Sequence, residues 1–373
     1  MLITGIIAEY NPLHAGHIYH IERTRQETRA DYIVAVVDGA FTQRGEPALM
    51  DKYARVEMAL EAGIDAVFEL PQVYAVRPAE IFARGGVDIL AGLGVDILSF
   101  GCETDDTELI TDTARTLTSE TNEFRVRLRE KLDMGLAYPR ALSEALENPY
   151  MENPNFTLAV EYVKRILLKG YDMKPHAVRR TEDYHGEGLM SASGVRGIIA
   201  EGGDALKMLP GGISRIYERE MDGRLSDPAA LDMLTLHTLR NARCENTYPD
   251  DAEGLFKRIV NLSASSTGRK QLVEAVKCKR YTYARINRLI TNALLDLPEV
   301  PKQPYLRLLG VKKSALPLLS ELDRRSGGRV NNDFKDTAAF KAECRATDLW
   351  GLTTGYPEYR KAGREYTRKL QPV

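Results

Sequence analysis

The feature that most constrains this chain is the alternation, over its first hundred residues, of short wholly apolar segments with helix-patterned ones. Ile3–Ala8 is an apolar run ahead of a turn, and Ile18–Arg29 is helical in pattern. Tyr32–Val37 (YIVAVV) is β-branched and is ended by Gly39. Lys52–Ala62 reads as a helix closed by Gly63, and Ala66–Leu70 as a strand stopped by Pro71. Ala79–Leu93 reads as a helix, and Ile97–Phe100 as a strand stopped by Gly101. Strands this apolar must be covered on both faces, which calls for a parallel sheet between two helical layers. Right-handed crossovers then give an α/β, Rossmann-like doubly wound sheet, with its ligand crevice at the carboxyl ends of the strands.

At 373 residues the chain is long enough for two domains. Residues 103–170 read as mostly helical, Lys174–Arg180 as one more strand and Thr181–Leu189 as a loop. Gly202, Gly203, Pro210, Gly211 and Gly212 form the clearest cluster of breakers. They place a boundary between a first domain over residues 1–205 and a mostly helical one over 206–373. In the second, Ala229–Leu239, Ala252–Val260, Lys270–Val276 and Arg285–Leu295 are helical in pattern, and Tyr305–Leu309 reads as a lone strand. A hydrophobic share of 43% excludes a disordered or collagen-like chain. No apolar run approaches the roughly 20 residues that span a bilayer. The opening MLITGIIAEYNP has neither a basic n-region nor a small-residue cleavage site, and reads as a first strand rather than a signal peptide. Cys102, Cys244, Cys278 and Cys344 lie far apart with no CxxC pair, the pattern of free thiols in a cytoplasmic protein. A net charge of −2 does not mark a nucleic-acid binder, so basic patches have to be sought locally.

Three of the six histidines, His14, His17 and His20, fall within seven residues directly after the first strand. A helix N-terminus attracts phosphate through its free N–H groups and partial positive charge. Gly16 lets a bulky anion approach the backbone, and residues three apart, His14 and His17, face the same side of a turn. Two imidazole N–H donors there suit the charge that grows on a phosphoryl group under in-line attack. Two other readings stay open: ordinary structural histidines, or metal ligation at i, i+3 and i+6. No familiar zinc spacing is completed, and neither a GxxxxGK[ST] nor a GxGxxG motif occupies the first strand–helix turn.

The HxGH pattern after strand one resembles the nucleotidyltransferase superfamily. The runs Phe41-Thr42-Gln43-Arg44-Gly45-Glu46-Pro47-Ala48, Glu69-Leu70-Pro71 with Tyr74-Ala75-Val76, Ile81-Phe82-Ala83-Arg84-Gly85 and Phe100-Gly101-Cys102-Glu103 narrow this. So do Pro154-Asn155, Arg180-Thr181, Tyr184-His185, Ser191-Ala192-Ser193 with Arg196, and Lys279-Arg280-Tyr281-Thr282 with Arg285. Together they resemble the bacterial tRNA(Met) cytidine acetate ligases over nearly the whole chain. The resemblance implies a cytoplasmic enzyme that activates acetate with ATP and Mg2+ as acetyl-adenylate. It then acetylates N4 of the wobble cytidine of elongator tRNA(Met). It assigns the catalytic role to His14 and His17. It assigns ATP binding to the stretch Ile7, Ala8, Glu9, Tyr10, Asn11, Pro12, Leu13, His14, Ala15, Gly16, His17, Ile18, Tyr19 and His20. Gly101, Asn155, Arg180, Ser191, Ser193 and Arg196 join them, with Asn153 and Arg179 as the alternative registers. Ser191–Arg196 should open a second phosphate-binding helix, although Gly194 stands where a hydroxyl residue is common and the serines also fit plain helix caps. No resident metal, membrane or protein partner is implied.

Asp38, Arg44 and Glu46 lie beyond the second strand on the ligand side and are expected to shape the site, Arg44 attracting acetate or a phosphate; a solvated Arg44–Glu46 pair is the duller option. From Arg269 to Arg288 the charges are Arg269, Lys270, Lys277, Lys279, Arg280, Arg285 and Arg288 against the single acid Glu274, with Tyr281 and Tyr283 interleaved. Such a stripe is either a solvated helix face or a phosphate-holding surface with rings for base stacking. The resemblance favours the second and puts tRNA on Lys277, Lys279, Arg280, Tyr281 and Arg285. Two alternatives remain: a small-molecule adenylyltransferase, and a non-catalytic RNA-binding protein with a relic nucleotide site.

Overall fold

In the YIVAVV run, Ile33, Ala35 and Val37 join one apolar cluster while Val34 and Val36 join another. Both sides of the strand are therefore packed, which is why the segment carries no polar alternation. The computed structural model describes residues 1–119, 121–136, 138–180, 192–200, 211–243, 245, 248–251, 253–332, 334–368 and 370. Strand β1 (Ile3–Ala8) leads into α1 (Ala15–Thr28), β2 (Tyr32–Asp38), α2 (Lys52–Glu61) and β3 (Ala66–Leu70). The short α3 (Gln72–Ala75), α4 (Ala79–Gly92) and β4 (Ile97–Cys102) follow. Helices α5 (Thr107–Ser119), α6 (Asn122–Asp133), α7 (Tyr138–Leu146) and α8 (Pro154–Lys169) precede β5 (Lys174–Arg179). Then come α9 (Ala192–Ala200), α10 (Gly211–Met221), α11 (Pro228–Asn241), α12 (Leu255–Ser263), α13 (Arg269–Val276) and α14 (Tyr283–Leu295). The chain closes with β6 (Leu308–Val311), α15 (Leu316–Ser326), α16 (Ala338–Leu352) and α17 (Arg364–Thr367).

The strands run in the order β5-β4-β1-β2-β3-β6. The first five are parallel, as expected, and the order reverses between β1 and β4. That reversal opens a crevice at the carboxyl ends of those two strands. One face of the sheet packs on residues of α4, α5, α8, α15 and α16, the other on residues of α1, α2, α9 and α10. The segment expected as a lone strand near Tyr305–Leu309 is neither lone nor quite there. Strand β6 lies antiparallel on β3, with Ala66 opposite Val311 and Val67 opposite Gly310. A lone strand would leave its backbone groups unpaired, and the exposed edge of β3 supplies the partners. A third apolar cluster, with Leu239, Phe256, Ile259, Leu272, Ile286 and Leu289, binds α11–α14 into a separate helical layer. The loop Thr181–Leu189 and the breakers Gly202, Gly203 and Pro210 lie outside the described residues.

The returning chain is tied to the sheet by buried charge. Lys52 Nζ lies 2.6, 2.8 and 3.0 Å from the carboxylates of Glu69, Glu343 and Glu365. Arg307 Nη1 reaches Glu69 at 3.1 Å and Glu365 at 2.7 Å. Tyr305 donates its hydroxyl to Glu69 at 2.7 Å. Two cations face three carboxylates, so full ionisation would bury a net negative charge. Burial accordingly raises the carboxyl of Glu343. Burial works against Glu365 as well, yet Lys52 and Arg307 hold its carboxyl below the usual range. Lys52→Met leaves these carboxylates uncompensated and should destabilise the fold by about 3–5 kcal/mol. Chemical denaturation reads the change; a loss below about 1 kcal/mol, the level of an ordinary substitution, would contradict this account.

Candidate active site

The first turn of α1 is capped by imidazoles. His14 is the N-cap residue, and its Nδ1 accepts from the Gly16 N–H at 3.1 Å. In return the His14 N–H donates to Nδ1 of His17 at 3.3 Å. This is a capping box in which histidines stand where Ser and Glu usually do. Because each Nδ1 accepts from an N–H, neither can carry a proton. Both rings are therefore neutral and carry their hydrogen on Nε2. Burial, and secondarily Arg180, lowers the pKa of His14 to about 4. Burial, then His14, His20 and Arg180, depresses His17 well below its usual value. The ring centroids lie 3.9 Å apart with planes 35° from parallel, and Tyr10 meets the His17 ring edge-on at 5.1 Å. Gly16 has a more specific role than open access to backbone: a Cβ there would lie 2.9 Å from Cε1 of His14. The His14 ring folds back over this residue and needs the missing side chain.

Both rings line a cavity of about 700 Å³, within the range of cofactor pockets. Ile7, Ala8, Glu9, Gly16, Tyr19 and His20 line it from the β1 side. Gly101 at the end of β4, Asn155 in the first turn of α8, and Arg179 and Arg180 at the end of β5 form the wall across the switch point. Gln43 and Arg44 enter from the β2–α2 loop. The cavity thus presents Arg44, Arg179 and Arg180 beside two N–H donors, a set suited to a triphosphate. Asn155 rather than Asn153 reaches the cavity, its amide donating to Glu103 at 2.8 Å. Both registers of the arginine do so. His20 Nε2 is engaged with Ser99 Oγ at 3.1 Å. With both Nδ1 atoms of His14 and His17 also occupied, the three histidines do not converge as metal ligands. Among the described residues no cluster of three His, Cys, Asp or Glu is placed to hold a metal.

Other expected residues support rather than line the cavity. Tyr10, Asn11, Pro12 and Leu13 are buried. Asn11 Oδ1 accepts from Leu49 N–H at 2.8 Å, and the Leu13 carbonyl accepts from Tyr217 at 3.0 Å. Ile18 packs with the sheet cluster. Helix α9 begins at Ala192, as the second phosphate segment predicts, but Ser191 and the Ser193 side chain lie outside the described residues. Arg196 is outside the cavity lining and donates to the Asn11 carbonyl at 2.6 Å, tying α9 to the β1–α1 turn. Asp38 is buried against Arg55 at 2.7 Å, and exposed Glu46 lies outside the lining.

The basic stripe divides. Arg269 and Arg288 are buried; Arg269 donates to the Gly45 carbonyl at 2.5 Å, and Arg288 meets Asp250 at 3.0 Å. Lys270, Lys279 and Arg280 are exposed, Arg280 pairing with Glu253 at 2.8 Å. Lys277 lies over the Tyr283 ring, and Arg285 donates to the Asp250 carbonyl at 3.3 Å. Tyr281 corrects the expectation of base stacking: it is 6% exposed and packed in the helical core, because the turn before α14 needs an apolar anchor. Tyr283, 54% exposed with Lys277 over its ring, is the accessible aromatic of the stripe. The pattern missed that Thr282, Ala284 and Arg288 close one wall of the cavity. Only the proximity of the Lys279–Thr282 run to a helix start hinted at it. Cys102, Cys278 and Cys344 are free thiols, as expected, while Cys244 lies outside the described residues.

Ring ¹⁵N shifts should show His14 and His17 as Nε2–H tautomers from pH 8 down to about pH 5; a midpoint near 6.5 for either ring would contradict the capping geometry. His20 is likewise lowered to about 4 by burial, then by Arg180 and His176. All three are protonated more readily in the unfolded chain, so their contribution to stability is complete above pH 6.5 and is lost as the pH falls toward 4. Thermal unfolding across that window reads it.

Residues 1–365 match the HIGH nucleotidyl transferase family. The tRNA(Met) cytidine acetate ligase of a Thermoanaerobacter species is 33% identical, covering 99% of both chains. That of Bacillus subtilis is 35% identical over 86% of this chain and 84% of its own. The crystal structure of Thermotoga maritima TmcAL, apo form, superposes with a TM-score of 0.91 at 28% identity, covering 100% of both chains. The form bound with α-thio ATP gives 0.90 at 27% identity over the same full coverage. With a cavity built on HxGH histidines at the switch point and relatives of this similarity along its length, the chain belongs to the HIGH nucleotidyl transferase family and, within it, to the tRNA(Met) cytidine acetate ligases.

Proposed function

We propose that this chain is an ATP-dependent ligase that joins acetate to AMP, releasing pyrophosphate, and passes the acetyl group to N4 of the wobble cytidine of elongator tRNA(Met). The observation that carries this reading is the pair of Nε2–H edges held side by side at the head of α1, inside a cavity of nucleotide size. Acetate is already an anion at pH 7, so its attack on the α-phosphate needs no base; the obstacle is repulsion between an anion and a polyanion. His14 and His17 offset it as donors. Each Nδ1 accepts an N–H of the first helical turn, which polarises the ring and strengthens the Nε2–H. The positive end of the helix is thereby relayed through imidazole to the phosphoryl oxygens. Arg44, Arg179 and Arg180 add fixed charge, and Gly101 and Asn155 border the nucleoside end. Arg196 would hold the turn, and Ser191 and Ser193 are proposed as further phosphate donors. Mg2+, carried on the triphosphate, would neutralise part of its charge.

The helical part after residue 205 is proposed to hold tRNA, on Lys277, Lys279, Arg280, Tyr283 and Arg285, close to the cavity wall formed by Thr282, Ala284 and Arg288. No described helix is long and apolar enough to cross a membrane, and a tRNA-modifying reaction belongs in the cytoplasm.

Mass analysis of tRNA incubated with the protein, ATP, Mg2+ and isotopically labelled acetate should show the labelled acetyl group on one cytidine; unlabelled tRNA would refute the reading. His14→Ala and His17→Ala should each lower acetate-dependent pyrophosphate exchange by about 10²–10³-fold. Neutralising Lys279 and Arg280 together should weaken tRNA binding and flatten its salt dependence, measured as Kd against ionic strength.

A further inference from the structure

A carboxylate in a triphosphate pocket is out of place unless it has work there. Glu9 is such a group. It follows β1 directly and lines the cavity. Its Oε1 accepts from the Gln43 N–H at 2.7 Å, which fixes the carboxylate in the wall and leaves Oε2 for a ligand. The other carboxylate of the lining, Glu152, is exposed just ahead of α8.

Glu9 also lies on the side of the cavity closed by the helical layer. Gln43 is two residues ahead of Gly45, whose carbonyl accepts from Arg269 at 2.5 Å and from Thr291 at 2.7 Å. Gly45 has φ +74°, and a Cβ on it would lie 2.6 Å from the Arg288 N atom of α14. A chain of contacts thus runs from the Glu9 carboxylate to the helix that follows the exposed basic segment. A base swung out of an RNA held on that segment would enter on this side.

We propose that Glu9 is the proton acceptor of the transfer step, taking a proton from the exocyclic amine of the cytidine as that amine attacks the acetyl carbonyl carbon. The assignment rests on the reaction proposed above. The N4–C bond forms, the bond from that carbon to the AMP oxygen breaks, AMP leaves as the anion, and one amine proton passes to Oε2 and on to water. Acetate activation has no use for such a group, whereas the cytosine amine is a donor for which a carboxylate is the matching acceptor. Burial raises the carboxyl of Glu9, against the lowering effects of the Gln43 N–H, Arg55, Arg44 and Arg196, which brings it closer to the basicity the step needs. Asp38 of β2 and Tyr162 of α8 also interact with its charge, and His14 and His17 line the same cavity.

The test uses the full chain with ATP, Mg2+, acetate and unmodified tRNA(Met). Glu9→Gln keeps an acceptor for the Gln43 N–H but cannot take the proton. Acetate-dependent pyrophosphate exchange without tRNA reads the first step, and single-turnover acetyl transfer reads the second. Transfer should fall about 10²–10⁴-fold further than exchange, the usual span of a lost general base. The wild-type transfer rate should climb with pH to a plateau, a limb that Glu9→Gln lacks and Glu9→Asp keeps at lower amplitude. Parallel losses in both steps, or a wild-type pH limb in Glu9→Gln, would overturn the assignment alone. A wild-type protein without acetate-dependent exchange would overturn the reaction itself and this role with it.

Discussion

The reciprocal hydrogen bonds between two imidazoles and the first turn of α1 govern the site. A helix start leaves N–H groups without intrahelical partners. Here the N–H groups of His14 and Gly16 are taken up by Nδ1 atoms, one ring reaching back and the other forward. That single arrangement sets the tautomer, the charge state and the orientation of both rings. It also explains Gly16, whose missing Cβ leaves room for the folded-back His14 ring. An imidazolium in either position would face an N–H donor with another N–H, so the rings act as neutral donors rather than as cations. The positive charge of the cavity wall comes from Arg44, Arg179 and Arg180 instead.

Those arginines and histidines come from three places in the chain, the β1–α1 turn, the β2–α2 loop and the end of β5, and the reversal of strand order between β1 and β4 brings them together. The β1–α1 turn forms one lip of the crevice, and the ends of β4 and β5 with the first turn of α8 form the other. The remaining wall depends on the helical layer. Arg269 and Thr291 hold the Gly45 carbonyl, and with it the loop that presents Gln43 and Arg44. Farther from the cavity, β6 and the Lys52–Arg307 cluster fasten the last fifth of the chain to the sheet edge. The charges of that cluster do not balance, and a raised Glu343 carboxyl is how a buried group of this kind avoids a net charge.

Much of the fold was legible from local pattern. Strands β1 to β5 and helices α1, α2, α4 and α11 to α14 fall within a few residues of where periodicity and breakers put them, since a segment packed on both faces has to be apolar throughout. The HxGH turn was legible for a related reason: its spacing encodes a capped helix start. Other residues were misread because their surroundings are not local. Tyr281 resembles a stacking ring but anchors the helical core, and Arg269 and Arg288 resemble a phosphate stripe but are buried. Charge and aromaticity say nothing about which face of a helix meets another element.

The sequence by itself determined the parallel sheet and the helix N-terminus with its histidine pair, because each follows from hydrophobic period, turn chemistry or spacing within one segment. Only the tertiary structure decided that β6 closes the sheet edge, that α14 walls the cavity and that the Glu9 carboxylate is held against the Gln43 N–H. These depend on contacts between residues 34 to more than 200 positions apart, and no local pattern records which distant backbone groups will need a partner.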